Sequence, residues 1–319
     1  MASAPDPRRR TASVRQLVGS LRGSLGDADA GAASLAQLLS QSGDDGDARE
    51  EVRWDQRHLP LLTRWPWLEG LAERGLAFAC VLAVALRLAG PALPAGGPAA
   101  VVPLAMAAAA ALWPPAGSLL VGGLVAWGIA TADASRLSVP LALLVALAVA
   151  AWWAASGRRD HLATPGLVIG SLVGLPQAGS LVAAFAQAPL PALATGVAGC
   201  ALSLLLADAS AVGLGAQALA GALAAGLARP ATWAALAGAG TGALAGAALT
   251  CRGSVGAQVA GQLVCTALLL AFEALPGMVE KAGIWSALDA RRAALAVGLC
   301  AIGCIACVVR GPLEWGEEG

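Results

Sequence analysis

The chain has 319 residues, of which 58% are hydrophobic and 13% charged, and its formal net charge is zero; its mean hydropathy is +0.71. Soluble domains carry roughly 25% charged residues, so a chain this poor in charge cannot clothe a water-facing surface of its own size, and the balanced charge excludes the basic excess expected of a nucleic-acid partner. The apolar residues come in long runs, which predicts an all-α, polytopic integral membrane helix bundle seated in a lipid bilayer.

Residues 1–70 read as a polar arm. "SVRQLVGSLRGSL" sets Val14, Leu17, Val18, Leu21 and Leu25 on one helical stripe, "AASLAQLLSQ" suits a second short helix, and "GDDGDAREE" is an acidic linker. So few apolar side chains make a poor independent core, so the expectation is a largely disordered arm with short amphipathic helices, free to dock a protein partner or to lie on the bilayer. The basic "PRRR" has no apolar core behind it, and no cleavable signal peptide is expected. In "LTRWPWLEG", Trp65 and Trp67 beside Arg64 suit the headgroup level.

The membrane domain is expected over 71–310, with a short polar tail at 311–319. A span needs about 20 mainly apolar residues. The candidates are 75–93, 98–113, 117–133, 138–155, 163–185, 189–207, 210–228, 230–250, 256–275 and 292–310, with Pro165 and Pro176 interrupting the fifth. Arg64, Arg74, Arg158, Arg159 and Arg252 favour a cytoplasmic N-terminus in a cell membrane. Arg291 and Arg292, however, argue for nine spans rather than ten.

"GAGTGALAG" contains the order G-x-G-x-x-A of a dinucleotide-binding turn. Such a turn needs a preceding strand and an acid about twenty residues on. Here "PATWAALA" precedes, and the next acid is Glu273. The run reads instead as a helix-packing face of Gly238, Gly242 and Gly246, and a second such face is Gly166, Gly170 and Gly174. With "ADAS" at 132–135 and again at 207–210, the two faces raise a three-span repeat as an expectation.

Cys300, Cys304 and Cys307 have the C-x-x-x-C-x-x-C spacing of an iron–sulfur loop, but they lie inside the apolar "LCAIGCIACVV" and share one helix face as small packing residues. His58 and His161 are the only histidines, and no zinc, phosphate-loop or nucleophile-elbow motif is present. No cofactor, metal or catalytic set is therefore expected.

Ionisable and amide side chains near or within spans carry the functional expectation, because charge in lipid costs about 3 kcal/mol or more. The candidate solute path or polar interior is Asp208, Gln217, Gln258, Gln262 and Glu273. Asp133 is expected to pair with Arg136, and Arg87 to snorkel. Together these features point to a transporter-like small-solute protein. The alternative is a membrane anchor or signalling protein acting through its arm. A homo-oligomer is compatible with either.

Overall fold

A computed structural model describes residues 65–92, 101–280 and 289–312. The arm through residue 64, the links 93–100 and 281–288 and the tail 313–319 lie outside the described residues, and the amphipathic stripe and acidic linker lie with them.

All the regular structure described is helical. In chain order the α-helices are α1 (Pro66–Ala92), α2 (Val101–Leu112), α3 (Ala116–Ala132), α4 (Ser138–Ala155), α5 (Ala163–Val173), α6 (Gly179–Ala186), α7 (Pro189–Val212), α8 (Ala216–Leu227), α9 (Pro230–Thr250), α10 (Val255–Glu280) and α11 (Ala290–Arg310). Five of them, α4, α7, α9, α10 and α11, are long and apolar enough to cross a membrane. Proline opens α7 and α9 at their first positions, where its missing N–H costs nothing. The Asp289 carboxylate accepts from the Arg291 N–H at 2.9 Å and starts α11.

Polar contacts mark the two ends of the bundle. At the first end, Arg310 at the close of α11 reaches Glu69 at the start of α1, 3.3 Å apart, and His161 meets Glu73 at 2.9 Å. The turn between α2 and α3 is at this end too: Thr164 donates to the Pro114 carbonyl at 2.6 Å and Trp153 to the Pro115 carbonyl at 2.9 Å. At the second end, Arg292 near the start of α11 pairs with Glu273 of α10 at 2.9 Å. The first and last described helices therefore meet at one end, an even arrangement, and Arg291 and Arg292 stand at the other.

The core is built from small and branched residues. Val81 and Val84 of α1, Val121, Val125 and Ile129 of α3, Leu167 and Val168 of α5, and Leu202 and Leu206 of α7 form one buried cluster. Leu181 and Ala184 of α6 join Cys265 and Leu269 of α10 in another. Outward faces are the reverse of a soluble protein's: Leu143, Leu144 and Leu147 of α4 and Ile302, Ile305 and Val308 of α11 are all exposed. Such faces suit lipid hydrocarbon. Exposed Trp65, Trp67 and Trp113 lie near the first end and Trp233 near the second, the levels tryptophan prefers.

Two of the expected spans take another form. Residues 163–185 are not one helix. Gly174 closes α5 at φ +75°, Leu175 is extended, and a 3-10 turn at Pro176–Ala178 leads into α6. Pro176 removes a helical N–H and disfavours helix at Leu175, while Gly174 supplies the left-handed conformation that ends a helix. The chain then doubles back. A Cβ on Gly170 would meet the Pro176 carbonyl oxygen at 2.6 Å, and one on Gly179 would collide with the Gly166 carbonyl. The Gln187 amide, just past α6, donates to Asp160, just before α5, at 2.5 Å. Both feet of this hairpin therefore stand at the first end.

Residues 210–228 also divide. α7 runs on to Val212, and the twelve-residue α8 stays near the second end: Gly215 faces the Asp133 carboxylate, a Cβ on Gly226 would stand 3.9 Å from that of Asp208, and the Thr232 hydroxyl donates to the Gly226 carbonyl. The "ADAS" echo separates likewise. Its first copy is the turn after α3, with Asp133 extended, and its second lies within α7.

Candidate functional site

The hairpin of α5 and α6 is too short to cross. Eleven and eight residues reach about 16 and 12 Å, against a hydrocarbon core of about 30 Å. Its tip is thus non-helical backbone inside the bundle. In a membrane such backbone survives only where protein covers it or where it lines a cavity. Both hold here. Leu175, Gln177 and Ala178 of the tip are buried, and nearer the feet Gly199 of α7 lets the Gly166 carbonyl approach, 2.5 Å from where a Cβ would stand. Beyond the tip lies a cavity of about 390 Å³.

Four elements wall the cavity: Val84, Arg87 and Leu88 of α1; Gly170, Ser171, Gly174 and Pro176 of the hairpin; Ser203, Leu206 and Ser210 of α7; and Arg292 of α11. Arg87 follows Glu73, level with the first end, by fourteen residues or about 21 Å of helix. Leu214 and Ser210, beyond the inner part of α7, carry the wall toward the second end.

Polar groups around the tip are unevenly satisfied. The Arg87 guanidinium donates to the Ser171 carbonyl at 2.7 Å. It therefore caps the C-terminus of α5, where a cation meets the negative end of the helix dipole, while Arg87 itself stays exposed. Ser171 and Ser210 donate their hydroxyls to Val168 and Leu206, each at 2.7 Å. The Ser203 hydroxyl is 2% exposed, lies 2.6 Å from where a Cβ on Gly170 would stand, and has no hydrogen-bond partner. Gln177 Oε1 and Ser180 Oγ of the hairpin are also buried and unpartnered. A buried polar atom without a partner costs about 1–3 kcal/mol, so each requires an explanation.

The five residues expected to form a polar interior sit in separate places. Asp208 is half-buried on α7 near Gly226, and Gln217 is exposed on α8. Glu273 is tied to Arg292 just behind the cavity wall. Gln258 and Gln262 are fully buried on α10, where their amides join helices: Gln258 donates to the Gly311 carbonyl at 2.9 Å and Gln262 to that of Leu181 at 3.3 Å. None of the five lines the cavity. Of the glycines, Gly238 faces Phe272, Gly242 faces Cys265, and Gly246 faces Ala184, Gly261 and Cys265, all within 3.4 Å of where a Cβ would stand. Gly166 faces Thr195 of α7, and Gly170 faces both the hairpin turn and Ser203 of α7, but Gly174 ends the helix and faces open space. Asp133 bonds Ser135 and Ser138 rather than Arg136, and these bonds hold its carboxyl below the usual range. Cys300 and Cys307 are buried and Cys304 half-buried, all three free thiols on α11.

The sequence reading passed over Arg87 and Ser203 as site residues. The signal for the break was present in "VGLPQAG". What that stretch cannot report is which α1 and α7 residues stand at its tip.

At the hairpin's feet, Asp160 is half-buried. Burial pushes its carboxyl up, partly offset by the bonds from Gln187 and the Leu162 N–H and by the charges of His161 and Arg310. Glu69, Glu73, Arg74, Arg158, Arg159 and Arg252 also stand at this end. The folded protein thus holds the Asp160 proton more tightly than the unfolded chain, where the group titrates near pH ~4. Its contribution to stability is full below that value and is lost as pH rises through the higher folded value. Melting curves of the wild type between about pH 4 and 7 should therefore carry a downward component that Asp160→Asn removes. Parallel slopes for the two proteins would show that the foot does not titrate in this window.

No known protein family, curated protein or solved structure matches the chain.

Proposed function

We propose that this is a multi-pass membrane protein that admits a small solute to a site at the tip of a re-entrant helical hairpin. In this reading α1, α3, α4, α7, α9, α10 and α11 cross the bilayer, the twelve-residue α2 carries the chain from the second end back toward the first, α5 and α6 enter and return, and α8 rests at the far interface. The observation that carries it is the broken helix ending beside a cavity of about 390 Å³. Discontinuous helices at membrane depth expose backbone where solutes bind, and the volume falls in the range of ~300–1,000 Å³ typical of small-molecule sites. The glycine-lined contacts of α5, α6, α7, α9 and α10 then serve as the close-packed frame. Arg53, Arg57 and Arg64 precede α1 in the chain, which favours the first end as the cytoplasmic one.

The test is solute flux in proteoliposomes containing the full chain. Ala207 is exposed on the cavity wall, so Ala207→Trp should fill the space without disturbing a buried contact. Flux above that of empty vesicles, reduced at least tenfold by Ala207→Trp, is expected. Equal flux in the two proteins would remove the cavity from the path. No flux for any solute would leave the chain as an anchor acting through residues 1–60.

A further inference from the structure

The cavity's chemistry favours one class of solute, an inference that rests on the reading of this cavity as a solute site. Its charge can be followed group by group. Arg292 is neutralised by Glu273 at 2.9 Å and by Asp289 at 3.8 Å. Arg87 has no acidic partner within 4.0 Å among the described residues, and its bond to the Ser171 carbonyl occupies one of five N–H donors. No carboxylate lines the wall. The wall thus presents one guanidinium, that of Arg87, without an acidic partner within 4.0 Å among the described residues. It also holds one buried hydroxyl without a partner, Ser203, across the last turn of α5 from Arg87: Gly170 abuts Ser203 while its neighbour Ser171 is bonded to Arg87.

We propose that this cavity binds a small monoanion, held by the Arg87 guanidinium and the Ser203 hydroxyl. A cation there would face Arg87 with no carboxylate to oppose it. A neutral solute would leave the charge uncompensated. A monoanion satisfies both, because a guanidinium and a hydroxyl are donors and charge-assisted bonds to an anion are the stronger kind. A dianion would exceed the single charge available. Arg87 then has two roles: it ends α5, and it presents its remaining donors to the solute.

The experiment uses the purified full chain and follows its melting temperature against sodium nitrate, formate and lactate at constant ionic strength in sodium HEPES, with glycerol as the neutral probe and choline as the cationic one. At least one of the anions should raise the wild-type melting temperature by several degrees with saturation, and glycerol and choline should not. Arg87→Gln should weaken that effect about a hundredfold in concentration and Ser203→Ala about tenfold. Ser203→Ala is the safer variant, because its hydroxyl bonds nothing in the protein and its loss should leave the ligand-free melting temperature unchanged or higher. If Arg87→Gln does not fold, Ser203→Ala decides alone. Saturable stabilisation by glycerol or choline and none by the anions would overturn the monoanion and keep the solute site. So would anion stabilisation unmoved by Ser203→Ala. No stabilisation by any probe, together with no flux in vesicles, would overturn both.

Discussion

Gly179→Val is expected to expel the hairpin from the bundle and to cost about 3 kcal/mol or more, the upper range for forcing volume into a packed interior. The position is closed on its tightest side by backbone. A Cβ there collides with the carbonyl oxygen of Gly166, and the next nearest atoms are the Gly166 carbonyl carbon at 3.1 Å and its Cα. Backbone cannot rotate away as a side-chain tip can, and Gly166 is itself held against α7 through Gly199. A melting temperature lower by roughly 5–10 °C is the readout. Gly221→Ala on α8 is the control, since nothing lies within 4 Å of its added Cβ. It should leave stability unchanged or raise it by about 0.5–1 kcal/mol, as alanine is the better helix former. Equal losses in the two variants would mean that hairpin packing is not what distinguishes them.

Gly261→Val should be comparably severe and should act elsewhere, on the pairing of α9 with α10. Its Cβ would stand 2.6 Å from the Gly246 carbonyl oxygen and 2.9 Å from the Thr250 hydroxyl. Gly246 faces back at the Gly261 carbonyl at 3.0 Å and at Cys265. The helices touch backbone to backbone there, the close approach that small residues permit in membranes. A loss of about 2–3 kcal/mol is expected, and a compensating Gly246 substitution should not rescue it, because neither side has room. Gly256→Ala on the same helix has open space around it and should be silent. Denaturant or thermal unfolding in detergent separates the two. A silent Gly261→Val would show that α9 and α10 can part without cost.

Much of the architecture is legible in the chain itself. Long apolar runs and sparse charges place helices in lipid, because every backbone group must be satisfied within its own segment there. The interruption is legible as well: "GLP" combines the residue that tolerates positive φ with the one that cannot continue a helix. The glycines of α9 are readable as a packing face from their spacing of four. Glutamines buried on α10 were visible as polar side chains inside a span, although their amides proved to be taken up by the carbonyls of Gly253, Gly311 and Leu181.

The candidate site was less legible. Asp208 and Gln217 stand out in the sequence as polar residues in apolar surroundings, yet they lie near the second end, clear of the cavity wall. Ser203 does not stand out, because a serine in a span ordinarily bonds the carbonyl one turn back, as Ser210 does with Leu206. In the folded protein the Ser203 hydroxyl bonds nothing and instead abuts Gly170 of the hairpin.

From the sequence alone follow the helical class, the apolar segments and the place where one of them breaks. Those depend on local composition and on the conformational limits of single residues. Tertiary structure decided which way the chain goes after the break. A hairpin and a straight span have the same hydropathy. The hairpin forms because Gly166, Gly170 and Gly179 let α5 and α6 close on each other and Gly199 lets α7 close on both. It decided equally that Arg87, remote in sequence, ends α5 and faces a cavity. Hydropathy reports how much surface leaves water. It carries no record of which backbone comes to lie against which.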